Sequence, residues 1–191
     1  MSEPGRQAMT GREHAMQVYR RADRLYTEAE VEAALDRMAG RITAALEDQD
    51  PILLCVMLGG VVPTGKLLAR LGFPLQLNYV HATRYGSATR GGKLRWVARP
   101  QDDLEGRNVL LIDDILDEGH TLAAIHESCR ELGAARVQSA VLVEKRHTRK
   151  ADYVADFIGL EVEDRYVFGY GMDYKGYLRN APGIYAVADD G

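Results

Sequence analysis

Two uninterrupted apolar runs constrain this chain more than anything else in it: ILLCVML (Ile52 to Leu58) and VLLI (Val109 to Ile112). A strand with no polar face has no side to turn to water, so each must be covered on both faces. Helical patterns flank them. Thr27 followed by Glu30 has the form of a capping box, and Val31, Leu35, Met38, Ile42 and Leu46 then recur at helical spacing, predicting a helix from about Thr27 to Glu47. Further helices are expected over Val61 to Leu71 and Thr121 to Leu132, and further strands over Phe73 to Ala82 and Val137 to Val143. Strands alternating with helices predict an α/β fold with a doubly wound, mostly parallel sheet. The tail from Phe157 to Val187, rich in Tyr and Gly, reads as a small hood on that sheet. The 191 residues suffice for one domain: a helical segment over about 1–48, a core over 49–148 and the hood over 149–191.

In such sheets ligands sit beyond the carboxyl ends of the strands. At one of these ends the sequence reads VLLIDDILDEGHTL, with Asp113, Asp114, Asp117 and Glu118 crowded at the exit of a buried strand. Their mutual repulsion is costly unless a cation, a sugar or a phosphate is expected there. Gly119 lets the backbone turn closely, and the free amides opening the next helix favour an anion. Carboxylates suit sugar hydroxyls or Mg²⁺. Phosphate on the amides and sugar on the acids together describe a phosphorylated ribose.

VLLIDDILDEGHTL resembles the signature of the type I phosphoribosyltransferases: four apolar residues, two acids, two apolar residues, then Asp-x-Gly-x-Thr. The wider chain, from about Tyr26 to Val187, resembles the bacterial hypoxanthine-guanine branch. LVEKR (Leu142 to Arg146) supplies that branch's lysine, and DRYVFGYGMDYKGYLRN (Asp164 to Asn180) its aromatic, Asp-Tyr and Tyr-x-Arg pattern. The resemblance implies transfer of a phosphoribosyl group from phosphoribosyl diphosphate to N9 of a 6-oxopurine. Asp113 and Asp114 would bind the ribose hydroxyls, directly or through Mg²⁺, which Asp173 would also ligate. Asp117 would be the acid/base facing purine N7. The segment Asp117, Glu118, Gly119, His120 and Thr121 would hold the 5′-phosphate, while Gly59, Gly60 and Arg179 would hold the diphosphate. Lys145 would read the 6-oxo group, since an ammonium only donates. Tyr166 would stack on the base and the Val167 carbonyl would meet its edge, with Asp173 beside it. The long polar segment Thr83 to Gly106 would be a lid, Tyr85-Gly86 closing over the site.

Three positions depart from that pattern: Leu58 where a basic residue is common, Glu118 where a hydroxyl is common, and His120 where a lysine is common. Rival readings are weaker. Gly60-Val-Val-Pro-Thr-Gly65-Lys66 approaches a phosphate-binding P-loop, but Leu67 stands where a hydroxyl must reach Mg²⁺ and Pro63 has no N–H. His14, His81, His120, His126 and His147 lack metal-ligand spacing. A phosphoribosyltransferase-like regulator binding RNA need not keep Lys145, Tyr166, Asp173 and Arg179 together, and a xanthine-preferring enzyme is a further alternative. The net charge of −4 argues against a general nucleic-acid or membrane-surface binder. Cys55 and Cys129, set in apolar patterns, are expected to be reduced core thiols of a cytoplasmic protein. The resemblance also implies a homo-oligomer, dimer or tetramer.

Overall fold

The computed structural model describes residues 10–84, 94–100, 103–149 and 151–188. Its centre is a six-stranded sheet ordered β4-β3-β2-β5-β6-β7, in which β4 (Leu94–Ala98) is antiparallel to β3 (Gln76–Arg84). The other neighbours are parallel: β3 with β2 (Ile52–Met57), β2 with β5 (Asn108–Leu116), β5 with β6 (Arg136–Arg146), and β6 with β7 (Phe157–Glu163). The two apolar runs become β2 and the first half of β5, next to each other in the middle.

Strand alternation sends their side chains into two cores. Leu53, Leu110 and Ile112 face α2 (Glu28–Leu46), which buries Val31, Leu35, Met38 and Ile42 against them. Leu54, Val56 and Leu111 face α4 (His120–Glu131), which brings Leu122, Ile125 and Cys129. Helix α3 (Val61–Leu68) packs beside α2 through Leu67. The predicted capping box is present: Thr27 Oγ1 accepts the Glu30 amide at 3.3 Å, and Glu30 accepts the Thr27 amide at 2.8 Å. Among the described residues no helix is long and apolar enough to cross a membrane.

The hood differs from its sequence-based outline. It is a three-stranded antiparallel sheet in the order β1-β9-β8, comprising Asp23–Tyr26, Ile184–Ala186 and Val167–Phe168. The stretch before Thr27, read as helical, thus contributes helix α1 (Gly11–Arg21) and then a hood strand. Conversely, β7 from the expected hood segment joins the main sheet, because β6 runs beyond Val143 to Arg146 and offers it a ladder. Helix α1 lies against the hood: Tyr19 meets Phe168 and Tyr185 edge-on at 6.0 and 5.0 Å, and His14 stacks on Tyr174 at 5.7 Å.

A half-buried ionic knot fastens the hood to the helices. Glu32 on α2 accepts from Lys66 (2.6 Å), from Arg70 (2.5 Å) and from the Tyr170 hydroxyl. Burial pushes the Glu32 carboxyl up, but the hydrogen bonds from Lys66, Tyr170 and Arg70 outweigh it and bring the pKa down to about 2.

Candidate active site

Strand β5 does not stop before the acid pair, as its apolar run suggested. It continues through Asp113 and Asp114 to Leu116, with Asp113 opposite Val141 and Ile115 opposite Val143 on β6. The acids are therefore held by a ladder, not by a loop. Asp113 Oδ1 accepts the Asp114 amide at 2.9 Å. Burial, and then the neighbouring Asp114 charge, push the Asp113 carboxyl well above the usual range; burial also raises Asp114. Two adjacent carboxylates that resist ionising together are chemically primed for a cation.

After Leu116 the chain turns through Gly119, whose φ of +84° is open to few residues other than glycine, and enters α4. The first turn of α4 carries no acidic side chain to occupy its amides. These amides, with Thr121, border a cavity of about 440 Å³ that also touches Gly59, Asp113, Asp114, Asp117 and Arg179. Glu118 and His120 line it too and approach each other at 3.8 Å, so the two departures from the family pattern neighbour one another.

The β2–α3 turn closes one wall. Gly59 is there from necessity: a Cβ on it would lie 2.5 Å from Asp114 Oδ1. Gly60 has a different role from the expected one. Its amide donates to the Val56 carbonyl at 2.9 Å, and a Cβ would meet the Ile112 carbonyl at 2.5 Å, so it packs the turn against β5. Leu58, 51% exposed, is not packed beneath the sheet edge.

A second cavity, of about 290 Å³, shares Asp114, Ile115, Asp117 and Asp173 with the first and adds Lys145, Tyr166, Val167 and Met172. Lys145 stands on β6 opposite Val162, and Tyr166 is half exposed and meets Tyr174 edge-on at 5.4 Å. The Val187 amide donates to the Tyr166 carbonyl at 2.9 Å. Antiparallel alternation then turns the backbone groups of Val167 away from β9, toward the open edge of the hood.

Charged partners link the two cavities. Arg179 Nη2 pairs with Asp173 Oδ1 at 2.5 Å, and its Nη1 donates to the Gly171 carbonyl at 2.6 Å and lies 3.9 Å from Asp114. Asp117, at the junction, accepts from Lys145 Nζ (2.8 Å) and contacts His147 Nε2 (2.7 Å). Burial raises its pKa, but the hydrogen bonds from Lys145 and His147 overcome that and hold it below the usual carboxylate value. His147 is the site residue that sequence reasoning passed over. Nothing in its local spacing ties it to Asp117, thirty positions earlier. Asp117, His147 and Asp164 do bring ligand atoms within 4.8 Å of one another. However, Lys145 holds Asp117, the Arg149 amide holds His147 Nδ1 at 3.1 Å, and the Arg149 side chain holds Asp164 at 2.5 Å. The group is a hydrogen-bonded cluster.

Of the expected site residues, the two cavities gather Gly59, Asp113, Asp114, Asp117, Glu118, Gly119, His120, Thr121, Lys145, Tyr166, Val167, Asp173 and Arg179. Gly60 stands behind the wall, and Tyr85 and Gly86 lie outside the described residues.

Residues 21–175 match the phosphoribosyl transferase domain family. A hypoxanthine-guanine phosphoribosyltransferase of Bacillus subtilis is 32% identical over 161 residues, covering 84% of this chain and 89% of its own. A hypoxanthine-guanine-xanthine phosphoribosyltransferase of Tritrichomonas foetus is 31% identical, covering 84% of this chain and 88% of its own. In fold, a hypoxanthine phosphoribosyltransferase structure from Staphylococcus aureus superposes with a TM-score of 0.84 at 24% identity, covering 89% of this chain and 94% of that one. With its acidic strand end, its anion-ready helix and its aromatic hood in one cleft, this chain belongs to the phosphoribosyl transferase domain family.

Proposed function

We propose that the protein is a purine salvage enzyme. It transfers the 5-phosphoribosyl group of phosphoribosyl diphosphate to N9 of hypoxanthine or guanine, giving IMP or GMP and diphosphate. The observation that carries this reading is the shared boundary of the two cavities, where Asp117 borders both. One side offers amides and carboxylates for a ribose phosphate. The other offers a stacking tyrosine, an ammonium for a 6-oxo group and free backbone groups for the base edge.

In this reading the α4 amides and Thr121 hold the 5′-phosphate, and Asp113 and Asp114 hold the ribose hydroxyls. Arg179 neutralises the departing diphosphate, aided by the Gly59 turn. Asp117 takes the proton displaced from the purine as N9 attacks the anomeric carbon, and Tyr166 and Lys145 orient the ring. The donor set fits Mg²⁺: Asp114 and Asp173 are hard oxygen ligands already bridged by a guanidinium, and Asp113 adjoins Asp114 on β5. Bound there, the ion would neutralise the diphosphate oxygens. The fold acts as one domain, in a cytoplasmic homo-oligomer. Xanthine is a third acceptor to offer, because the relative from Tritrichomonas foetus carries it in its name.

The test is nucleotide formation from phosphoribosyl diphosphate, with hypoxanthine, guanine, xanthine and adenine offered separately. Turnover of 6-oxopurines and not of adenine is expected. Adenine as the preferred acceptor would overturn the assignment.

A further inference from the structure

We infer that His147 is a positioning residue: it holds one oxygen of Asp117 in place while recognition of the purine's 6-oxo group frees the other. The inference rests on the function proposed above and concerns a residue that no part of that mechanism uses.

The hydrogen-bond pattern assigns the proton on the ring. His147 Nδ1 accepts the Arg149 amide at 3.1 Å, so the proton sits on Nε2, which donates to Asp117 Oδ1 at 2.7 Å. The side chain is only 6% exposed, which leaves the ring little freedom to turn away. Lys145 occupies the other oxygen, Oδ2, at 2.8 Å. Among the described residues Asp164 also faces this cluster, and Arg149 pairs with it at 2.5 Å. With no purine bound, therefore, each oxygen of Asp117 already accepts a hydrogen bond, and the one from the Lys145 ammonium makes Oδ2 a poorer proton acceptor.

A 6-oxopurine in the second cavity changes that balance. Its carbonyl oxygen is an acceptor for Lys145, and its N7 edge lies on the same side of the ring. As Lys145 turns from Oδ2 to the 6-oxo group, Oδ2 is released toward the imidazole edge of the base. His147 stays on Oδ1 and keeps the carboxylate from swinging out of line. Discrimination against a 6-amino purine then acts on turnover as well as on binding, because an amino group leaves Lys145 on Asp117.

The experiment compares kcat and the KM values for hypoxanthine and phosphoribosyl diphosphate in the wild type, His147→Ala and His147→Gln, each also on an Asp117→Asn background. The glutamine amide reaches the place of Nε2 and restores the donor without the ring. His147→Ala should lower kcat about 10- to 100-fold, the scale of a misplaced reacting group. KM for phosphoribosyl diphosphate should stay within about twofold, and His147→Gln should recover most of the loss. On the Asp117→Asn background His147→Ala should cost almost nothing more, since its effect passes through Asp117. An equal loss on both backgrounds would mean a merely structural ring and would overturn the inference, as would an unchanged kcat in His147→Ala. Should His147→Ala fail to fold, His147→Asn, too short to reach Oδ1, serves in its place. A wild type that makes no nucleotide from any 6-oxopurine would overturn the proposed function and this inference with it, whereas an active wild type indifferent to His147 overturns only the inference.

Discussion

Adding a single methyl group at Gly59 tests how tightly the β2–α3 turn is built around Asp114. A Cβ there would overlap the whole Asp114 carboxyl group, Oδ2 most deeply; Oδ1 alone would lie at 2.5 Å, whereas ordinary van der Waals contact begins at 3.4 Å, so the carboxylate must retreat by at least about 0.9 Å. The backbone of Asp114 cannot take up the shift, because β5 is laddered to β6 on both sides of it. Nor can the side chain retreat into the protein, where Asp114 is only 8% exposed; the cleft that it lines is the one direction left. What remains is rotation of the side chain away from the ribose position. A displacement near 1 Å at a reacting centre costs about 10²-fold, and the overpacking costs about 1–3 kcal/mol of stability. Gly40→Ala supplies the control: a Cβ there meets nothing within 4 Å in the interior of α2, so it should stabilise by about 0.5–1 kcal/mol and leave activity alone. Steady-state kcat/KM for phosphoribosyl diphosphate, alongside thermal melts of both variants, separates the two effects. Gly59→Ala with kcat/KM within twofold of wild type would refute the reasoning, because Asp114 would then have room that the structure denies it.

Asp117→Asn should slow transfer by about 10²–10⁴-fold while calorimetric binding of phosphoribosyl diphosphate survives, since the α4 amides are untouched. Lys145→Gln places an acceptor where a donor stood, so the ratio of hypoxanthine to adenine turnover should fall; an unchanged ratio would remove Lys145 from base selection. Stability should also carry a signature of Glu32. Its folded pKa of about 2 lies below the ordinary 4.5, so its contribution is present above pH 4.5 and fades as pH falls toward 2. Glu32→Gln should show a shallower fall of melting temperature over that range, and a slope equal to wild type would count against the knot at Tyr170.

Local patterns were legible in the sequence and distant pairings were not. The runs at Ile52 and Val109 announced central strands because a strand apolar on every residue has only one kind of place in a fold. The Asp117 to Thr121 loop was equally readable, since its geometry is set by a glycine and a helix start a few residues apart. Strand β1 was hidden: DRLY carries two charges in four residues, and it is a strand only because β9, about 160 positions later, lies beside it. His147 was hidden for a related reason. Its place depends on β6 continuing to Arg146, which depends in turn on β7 pairing there. Gly60 was half legible, as a glycine that the resemblance sets beside the diphosphate, but only the packed structure shows its amide donating to Val56.

The pairing of β1 with β9 also bears on the order in which this protein can acquire its cleft during folding. Strands β2 to β7 and their helices need only neighbours within the same stretch of chain. The hood needs both ends at once, because β9 lies between β1 and β8 and completes their sheet. Contacts between segments so far apart must overcome the entropy of closing almost the whole chain into a loop, and they form late. A nascent chain can thus hold a finished sheet, with the α4 amides already in position for a phosphate, before it has a wall for the base. Binding of the sugar phosphate would precede purine recognition in the history of every molecule, and a chain interrupted just before Ile184 should be left with the first capacity and without the second.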